Sequence, residues 1–209
     1  MTGEHDREWS WKYCYLGFQR LIREAAIGDR DHAAVQLGFY LASWGMYRGS
    51  GFLWQYTYTI HRGVIDRLLT PQFSVLWEHE FGGSDNDSEF VPVVLEAIDA
   101  VRDVYRPFAR GSGASDTLVA KVVLGTLGCL PACDRYFIRG FKNKGYSFSS
   151  INLNNAEKFV QQILDFSKNN LNELREEQDR IERDIKVRYP LMKLVDMYFW
   201  QLGFELETS

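Results

Sequence analysis

An aspartate that follows an uncharged, glycine- and proline-containing run is the residue best placed to do chemistry in this chain. Twelve uncharged residues separate Lys121 from Asp134, and Gly125, Gly128 and Pro131 lie among them. Glycine and proline cost stability inside an apolar helix, so we expect a close backbone approach or a sharp turn between helices to require them. The sequence therefore predicts a site at Asp134, although an aspartate is equally favoured at a helix N-terminus by the helix dipole.

Basic side chains surround this predicted site in the sequence and suit an anionic partner. Arg48, which follows Trp44 closely, has the fork-shaped group that binds a phosphate or carboxylate with two hydrogen bonds, and it would equally suit the carbonyls at its own helix end. We predict a pocket at Asp134 that includes Trp44 and Lys121. The predicted nucleic-acid contacts are Arg48, Arg135, Arg139, Lys142 and Lys144.

Composition indicates a folded chain with a sizeable core but no overall attraction to nucleic acid. Of the 209 residues, 45% are hydrophobic and 15% aromatic, and the net charge is −4. The charge is segregated, however. Residues 78–99 contain seven acidic residues and no Lys or Arg, whereas residues 102–144 contain eight basic residues against three acidic ones. One face can therefore suit an anionic partner.

The chain lacks the patterns of secreted, membrane or metal-binding proteins. Its first ten residues are polar, and no apolar run is long enough to cross a bilayer, so we expect a cytoplasmic protein that does not insert in membranes. The three cysteines, Cys14, Cys129 and Cys133, are odd in number and predict buried free thiols. The four histidines form no helical ligand pair, and we expect no metal and no cofactor.

Helical periodicity dominates and predicts an all-α chain, with residues 1–209 forming a single globular domain of eight or nine helices. Asp31 is predicted to cap the second helix, Ser115 to cap a central one, and Pro131 to lie in the first turn of the helix after it. His61 has Asp66 and Asp134 as candidate partners. Residues 82–89 are predicted to be an exposed, mobile loop. The predicted helices span residues 9–26, 31–47, 52–69, 88 or 89 to 109, 116–127, 133–141 and 190–202, and residues 154–187 form either one long helix or two stacked helices.

Three motifs resemble a family of bacterial proteins, and the resemblance supplies no activity. These motifs are residues 41–50 (LASWGMYRGS), 125–137 (GTLGCLPACDRYF) and 194–201 (LVDMYFWQ).

A second likeness is to helix-hairpin-helix DNA glycosylases, in which a helix ends in Gly and Pro and a catalytic aspartate begins the next helix. Residues 119–124, followed by Pro131 and Asp134, are similar to that segment. The likeness implies a glycosylase-like helical fold, with Asp134 stabilising positive charge on a sugar as its base leaves. Gly111 and Gly113 lie further upstream than the phosphate-binding hairpin of that family. Ser115 and Asp116 stand where its lyase members carry a lysine, so Schiff-base chemistry is not implied.

Two classes of function follow, and the sequence leaves open whether the protein is an enzyme. One is a nucleic-acid-directed protein with Asp134 at its site and DNA or another nucleic acid as partner. The other is a non-enzymatic module that binds a protein partner in a bacterial defence or regulatory system. Residues 154–187, rich in charge, suit either a solvated face or one side of a helical homodimer.

Overall fold

Helices make up the regular secondary structure, as the sequence predicts. The computed structural model describes residues 4–24, 29–49, 51–109, 111 and 113–208, and no strand lies in these ranges. Short 3-10 turns cover Phe52–Gln55, Tyr58–His61, Pro71–Phe73 and Asp87–Phe90. Within the described ranges the α-helices number ten, rather than eight or nine: α1 Glu4–Arg23, α2 Arg30–Ser43, α3 Arg62–Leu68, α4 Ser74–Glu78, α5 Val91–Tyr105, α6 Asp116–Thr126, α7 Arg135–Asn143, α8 Leu153–Asn169, α9 Leu171–Ile185 and α10 Leu191–Thr208.

Side-chain caps fix the beginnings of two helices that bear on the site. Ser115 caps α6 as predicted, because its Oγ accepts the Leu118 N–H at 3.2 Å. The predicted N-cap of α2, Asp31, is wrong by two residues. Asp29 is its cap and accepts the His32 N–H at 3.0 Å, whereas Asp31 lies in the first turn and pairs with an arginine of α3. Both aspartates suit the positive end of the helix, and only one can have the extended backbone of a cap.

The predicted helix over residues 52–69 is wrong. Two 3-10 turns precede α3, because the aromatic and β-branched run of residues 56–59 favours extended backbone, which Tyr56 and Thr57 adopt. The fully buried His61 lies at the end of the second turn. Its Nε2 is 2.7 Å from the Tyr47 hydroxyl and its Nδ1 is 2.7 Å from the Tyr105 hydroxyl. The expected pairing of His61 with Asp66 or Asp134 is therefore corrected to two tyrosines.

A non-helical connection leads from α6 to Asp134. Gly128 has φ of 69°, in the left-handed region, and its N–H bonds to the Val123 carbonyl at 3.0 Å as α6 ends. Pro131 lies in this connection and not in the first turn of α7, which begins only at Arg135. The whole connection from Leu127 to Cys133 is buried. A turn between helices thus explains the glycine and proline, as the sequence predicts.

Helices α7 and α10 approach each other backbone to backbone. A Cβ atom added to Gly140 would lie 2.1 Å from the Phe199 carbonyl oxygen, and one added to Gly203 would lie 1.9 Å from the Tyr136 carbonyl oxygen. Only glycine fits such distances, since van der Waals contact of a Cβ begins well beyond 3 Å. This approach sets the position of Asp134, at the start of α7, relative to α10.

The predicted exposure of the loop at residues 82–89 is corrected in part, since four of its residues are exposed but the loop is anchored by a buried side chain. Asp87 is fully buried, and its carboxylate accepts the N–H groups of Gly82 at 3.1 Å and Ser84 at 3.0 Å. His79 Nε2 lies 2.5 Å from the same carboxylate. The aspartate folds the loop around itself as an acceptor of local hydrogen bonds.

Two further boundaries differ from the predictions, since α5 ends at Tyr105 rather than near residue 109 and α10 continues to Thr208. The charged segment 154–187 divides into α8 and α9 at Asn170, which is the two-helix alternative that the sequence leaves open. Among the described residues, no helix has the length and apolar character that a membrane span requires.

Candidate functional site

Five charged side chains meet beside the ring of Trp44, and we call them the buried charge cluster. Helix α1 supplies one, α6 one, the start of α7 one and α10 two: Glu8, Lys121, Asp134, Lys193 and Asp196. The ammonium of Lys121 lies 4.4 Å from the Trp44 ring centroid and that of Lys193 lies 5.8 Å from it. Ring faces attract cations, so the indole of Trp44 contributes to holding both lysines.

Asp134 is committed to three donors. Its Oδ1 accepts the N–H groups of Tyr136 and Phe137, both at 3.1 Å, which caps α7. Its Oδ2 pairs with Lys121 Nζ at 3.2 Å. The Lys121 side chain is 3% exposed and that of Asp134 16% exposed, so the pair is mostly shielded from water. Asp134 therefore caps its helix and also holds a buried cation.

The second half of the cluster is held by α10 and α1. Lys193 Nζ lies 3.1 Å from Glu8 Oε2 and 3.5 Å from Asp196 Oδ2. Asp196 Oδ1 accepts the Ala132 N–H at 2.8 Å, which ties α10 to the connection before Asp134. Three carboxylates and two ammonium groups leave the cluster with one negative charge when all are ionised.

Burial and neighbouring charges shift the pKa values of the cluster's side chains in opposite directions. Burial raises the pKa of Asp196 above its usual range, although Lys193 and Lys121 act to lower it. Burial alone would lower the pKa of Lys193, but Glu8 and Asp196 more than offset this and raise it. Lys193 therefore remains a cation, with Glu8 as its more exposed counterion.

Aromatic rings extend from the cluster to the surface of α7 and α10. The Trp200 ring meets that of Trp44 edge-on at 6.3 Å between centroids, and Tyr136 meets Trp200 at 5.2 Å. The guanidinium of Arg135 lies 4.6 Å from the Tyr136 ring centroid. The Trp44 Nε1 atom is buried and has no hydrogen-bond partner among the described residues. An unpaired buried donor costs free energy, so an acceptor that reached this atom would bind favourably.

The predicted basic residues of α7 extend from this site to the far end of the helix, and two of them are already paired. Glu207 accepts from Arg139 at 2.6 Å and lies 3.1 Å from Arg135. Lys142 and Lys144 are exposed near the end of α7, with Lys144 5.9 Å from the ring centroid of a tyrosine of α10. These four residues therefore share α7 or its C-terminus, but two of their charges are partly neutralised.

Arg48 is exposed just after α2 and lies close to the turn that holds Trp44. Its Cδ would be 3.8 Å from a Cβ added to Gly45. Within the described residues, its guanidinium donates no hydrogen bond to the carbonyls at the end of α2. The geometry thus favours a guanidinium open to a ligand over the capping alternative.

Sequence reasoning missed most of the aromatic and acidic parts of the site. Glu8, Lys193, Asp196, Tyr136 and Trp200 were not predicted, whereas Asp134, Lys121 and Trp44 were. A usable signal was the spacing of Lys193 and Asp196, three residues apart in a largely apolar helix, where charges are costly unless paired. Nothing in the local sequence connects Glu8 to Lys193, since 185 residues separate them.

The cysteines and histidines form no alternative centre in the part of the chain that the structure describes. No group of three or more His, Cys, Asp or Glu residues there has metal-binding geometry. The three cysteines are buried and free, as predicted, and burial raises the pKa of Cys129 to about 12. Such thiols are poor nucleophiles.

Comparison with known proteins adds no relative. No family model, no curated protein and no solved structure matches the chain.

Gly111 and Gly113 have backbone conformations that favour glycine. Both lie in the left-handed region, with φ of 67° and 79°, between α5 and α6. Residue 112 lies outside the described residues.

Proposed function

We propose that this chain is a nucleic-acid-directed protein in which Asp134 faces a nucleotide and the basic residues around α7 and Arg48 contact phosphates. The observation that supports this proposal best is the Lys121–Asp134 ion pair beside the ring of Trp44. The Lys121 ammonium lies 3.2 Å from the Asp134 carboxylate and 4.4 Å from the Trp44 ring centroid, so a carboxylate, a cation and an aromatic face lie together. Retaining buried charges that cost free energy is typical of functional sites.

The chemistry of the carboxylate suits charge stabilisation better than proton transfer. Oδ1 is occupied by two backbone N–H groups, so Oδ2 is the oxygen that can face a ligand. A sugar that develops positive charge would compete with Lys121 for this oxygen. The fixed carboxylate would stabilise that charge without having to reorient. In this proposal Asp134 is the catalytic residue of a base-excision reaction.

The aromatic residues supply a surface on which a base can stack. Trp44, Trp200 and Tyr136 form a connected series of rings from the buried charge cluster outward. Stacking on such rings is worth about 1–3 kcal/mol per base and does not depend on base identity. The unpaired Trp44 Nε1 can donate to an acceptor on the base edge.

Binding assays test the first half of the proposal. Fluorescence anisotropy with labelled single- and double-stranded DNA should show affinity that falls steeply with salt, because phosphate contacts release counterions. The Arg48→Ala/Lys142→Ala variant should bind at least about tenfold more weakly, and lose about two units of the salt slope. The matched control, Lys158→Ala/Arg183→Ala, removes two exposed cations from α8 and α9 and should bind like the parent. No salt-dependent binding by the parent protein would overturn the proposal.

Excision assays test the second half. Duplexes carrying uracil, an alkylated base or an oxidised base would be incubated with the protein and analysed for abasic sites. Asp134→Asn should abolish excision while leaving binding roughly intact, because asparagine keeps the helix cap but loses the charge. Equal excision by this variant would remove Asp134 from the mechanism.

A further inference from the structure

Two adjoining grooves along α9 form a surface that the proposed nucleic-acid site does not use, and we call it the α9 groove. The larger part, of about 540 Å³, lies between α8, α9 and α10 and is lined by Leu174, Leu202 and Tyr198. The smaller part, of about 300 Å³, lies between α1, α9 and α10 and is lined by Ile181 and Ile185. Met197 lines both parts and lies between them.

The dimensions of the groove match a helix. Leu174, Ile181 and Ile185 lie seven and four positions apart on α9 and hence on one helical face. The eleven-residue separation from the first to the last corresponds to about 16 Å, or three turns. A partner helix binds such a groove through apolar residues at positions i, i+3 or i+4, and i+7.

The rim of the groove is acidic. Five acidic residues line it against Lys12 and Arg180, an excess of three negative charges: Glu8, which is paired with Lys193, and Glu173, Glu177, Asp184 and Glu205. Arg180 pairs with both Glu177 and Asp184, whereas Glu173 forms no ion pair within the described residues. A twofold dimer through this surface would place the same acidic rim against itself. The charge therefore favours a cationic occupant over a second copy of the chain.

We propose that the α9 groove binds a cationic amphipathic helix of about three turns from a partner protein. Leucine-type side chains of the partner would enter the two cavities on either side of Met197. Its lysines or arginines would face the acidic rim and set the orientation. The groove shares one residue with the buried charge cluster, Glu8 at one end, and its other lining residues lie outside that cluster.

The test uses defined peptides with the whole chain. A fluorescein-labelled helix of about four turns, with leucines at the stated spacing and lysines elsewhere, is titrated at about 0.15 M salt. Two further peptides serve for comparison: a scrambled peptide of the same composition, and a version with glutamates in place of the lysines. Saturable binding of the first peptide alone is expected. Equal binding of the scrambled peptide would overturn the proposal, since it would reflect charge without a fitted groove.

Variants locate the binding. Glu173→Lys should lower the affinity for the cationic peptide by about three- to tenfold. Its matched control, Glu157→Lys on the exposed side of α8, should leave that affinity unchanged. Met197→Ala should weaken binding at unchanged helical content in circular dichroism. If both glutamate variants act equally, or if sedimentation shows a dimer that Glu173→Lys alters, the proposed occupant is wrong. Oligonucleotide binding, measured in parallel, should be unaffected by Met197→Ala.

Discussion

Lys121 and Asp134 depend on each other, because the lysine side chain is 3% exposed and its ammonium has the aspartate as its ion-pair partner 3.2 Å away. Removing one member of a buried pair typically costs about 3–5 kcal/mol, since the other charge is left without compensation. We expect Asp134→Asn to lower the free energy of unfolding by about 3 kcal/mol even though asparagine can still cap α7. The double variant Lys121→Met/Asp134→Asn should regain most of that loss in urea denaturation. If the two single effects simply add, the pair is not coupled.

His61 makes stability depend on pH, because burial lowers its pKa to about 4 from the usual histidine value of 6.5. The unfolded chain then binds a proton at higher pH than the folded chain does. Stability should therefore fall as pH decreases from about 6.5 to about 4 and level off for this group below that, for a total of about 3 kcal/mol. Urea denaturation across this range checks the result, with His61→Gln expected to lose this part of the slope. The matched control is His32→Gln, which changes an exposed histidine; an equal change there would contradict the prediction.

The contact between α7 and α10 controls the site from a distance, because it positions both Asp134 and Asp196. In an isolated helix Gly203→Ala would be favourable by about 1 kcal/mol. Here the new Cβ would lie 1.9 Å from the Tyr136 carbonyl oxygen. This steric clash outweighs the gain in helix propensity, so the substitution is expected to lower the free energy of unfolding. We expect a loss of about 3 kcal/mol in unfolding free energy and a changed tryptophan emission as Trp200 moves relative to Trp44. Asn143→Ala, at an exposed position of α7, is the control and should change neither quantity.

Local signals in the sequence predicted the elements that local hydrogen bonds create. The Ser115 cap, the turn at Gly128 and the position of Asp134 all follow from residues within a few positions of one another. Asp87 shows the opposite case. Its polar sequence context predicts an exposed loop, but its buried carboxylate accepts two backbone N–H groups of that loop. The pairing of Glu8 with Lys193 depends on packing between the two ends of the chain, which no local pattern records.

Charge across the molecule determines how strongly the proposed site can bind nucleic acid. The net charge of −4 opposes binding, and Glu207 holds Arg135 and Arg139 in ion pairs at the proposed phosphate-binding face. Such exposed pairs are worth at most about 1 kcal/mol each, so a phosphate can displace the glutamate but must compete with it.

Glu207→Gln removes this competitor and leaves both arginines in place. Under the proposed function we expect DNA affinity to rise by about three- to tenfold at low salt, with a steeper salt dependence because one or two further cations contact phosphates. Anisotropy titrations at several salt concentrations measure both quantities. Glu157→Gln makes the same change of net charge on α8 and should raise affinity far less, since it lies in a different helix from the arginines. Equal increases for the two variants would mean that overall charge, and not the face formed by α7 and α10, governs binding.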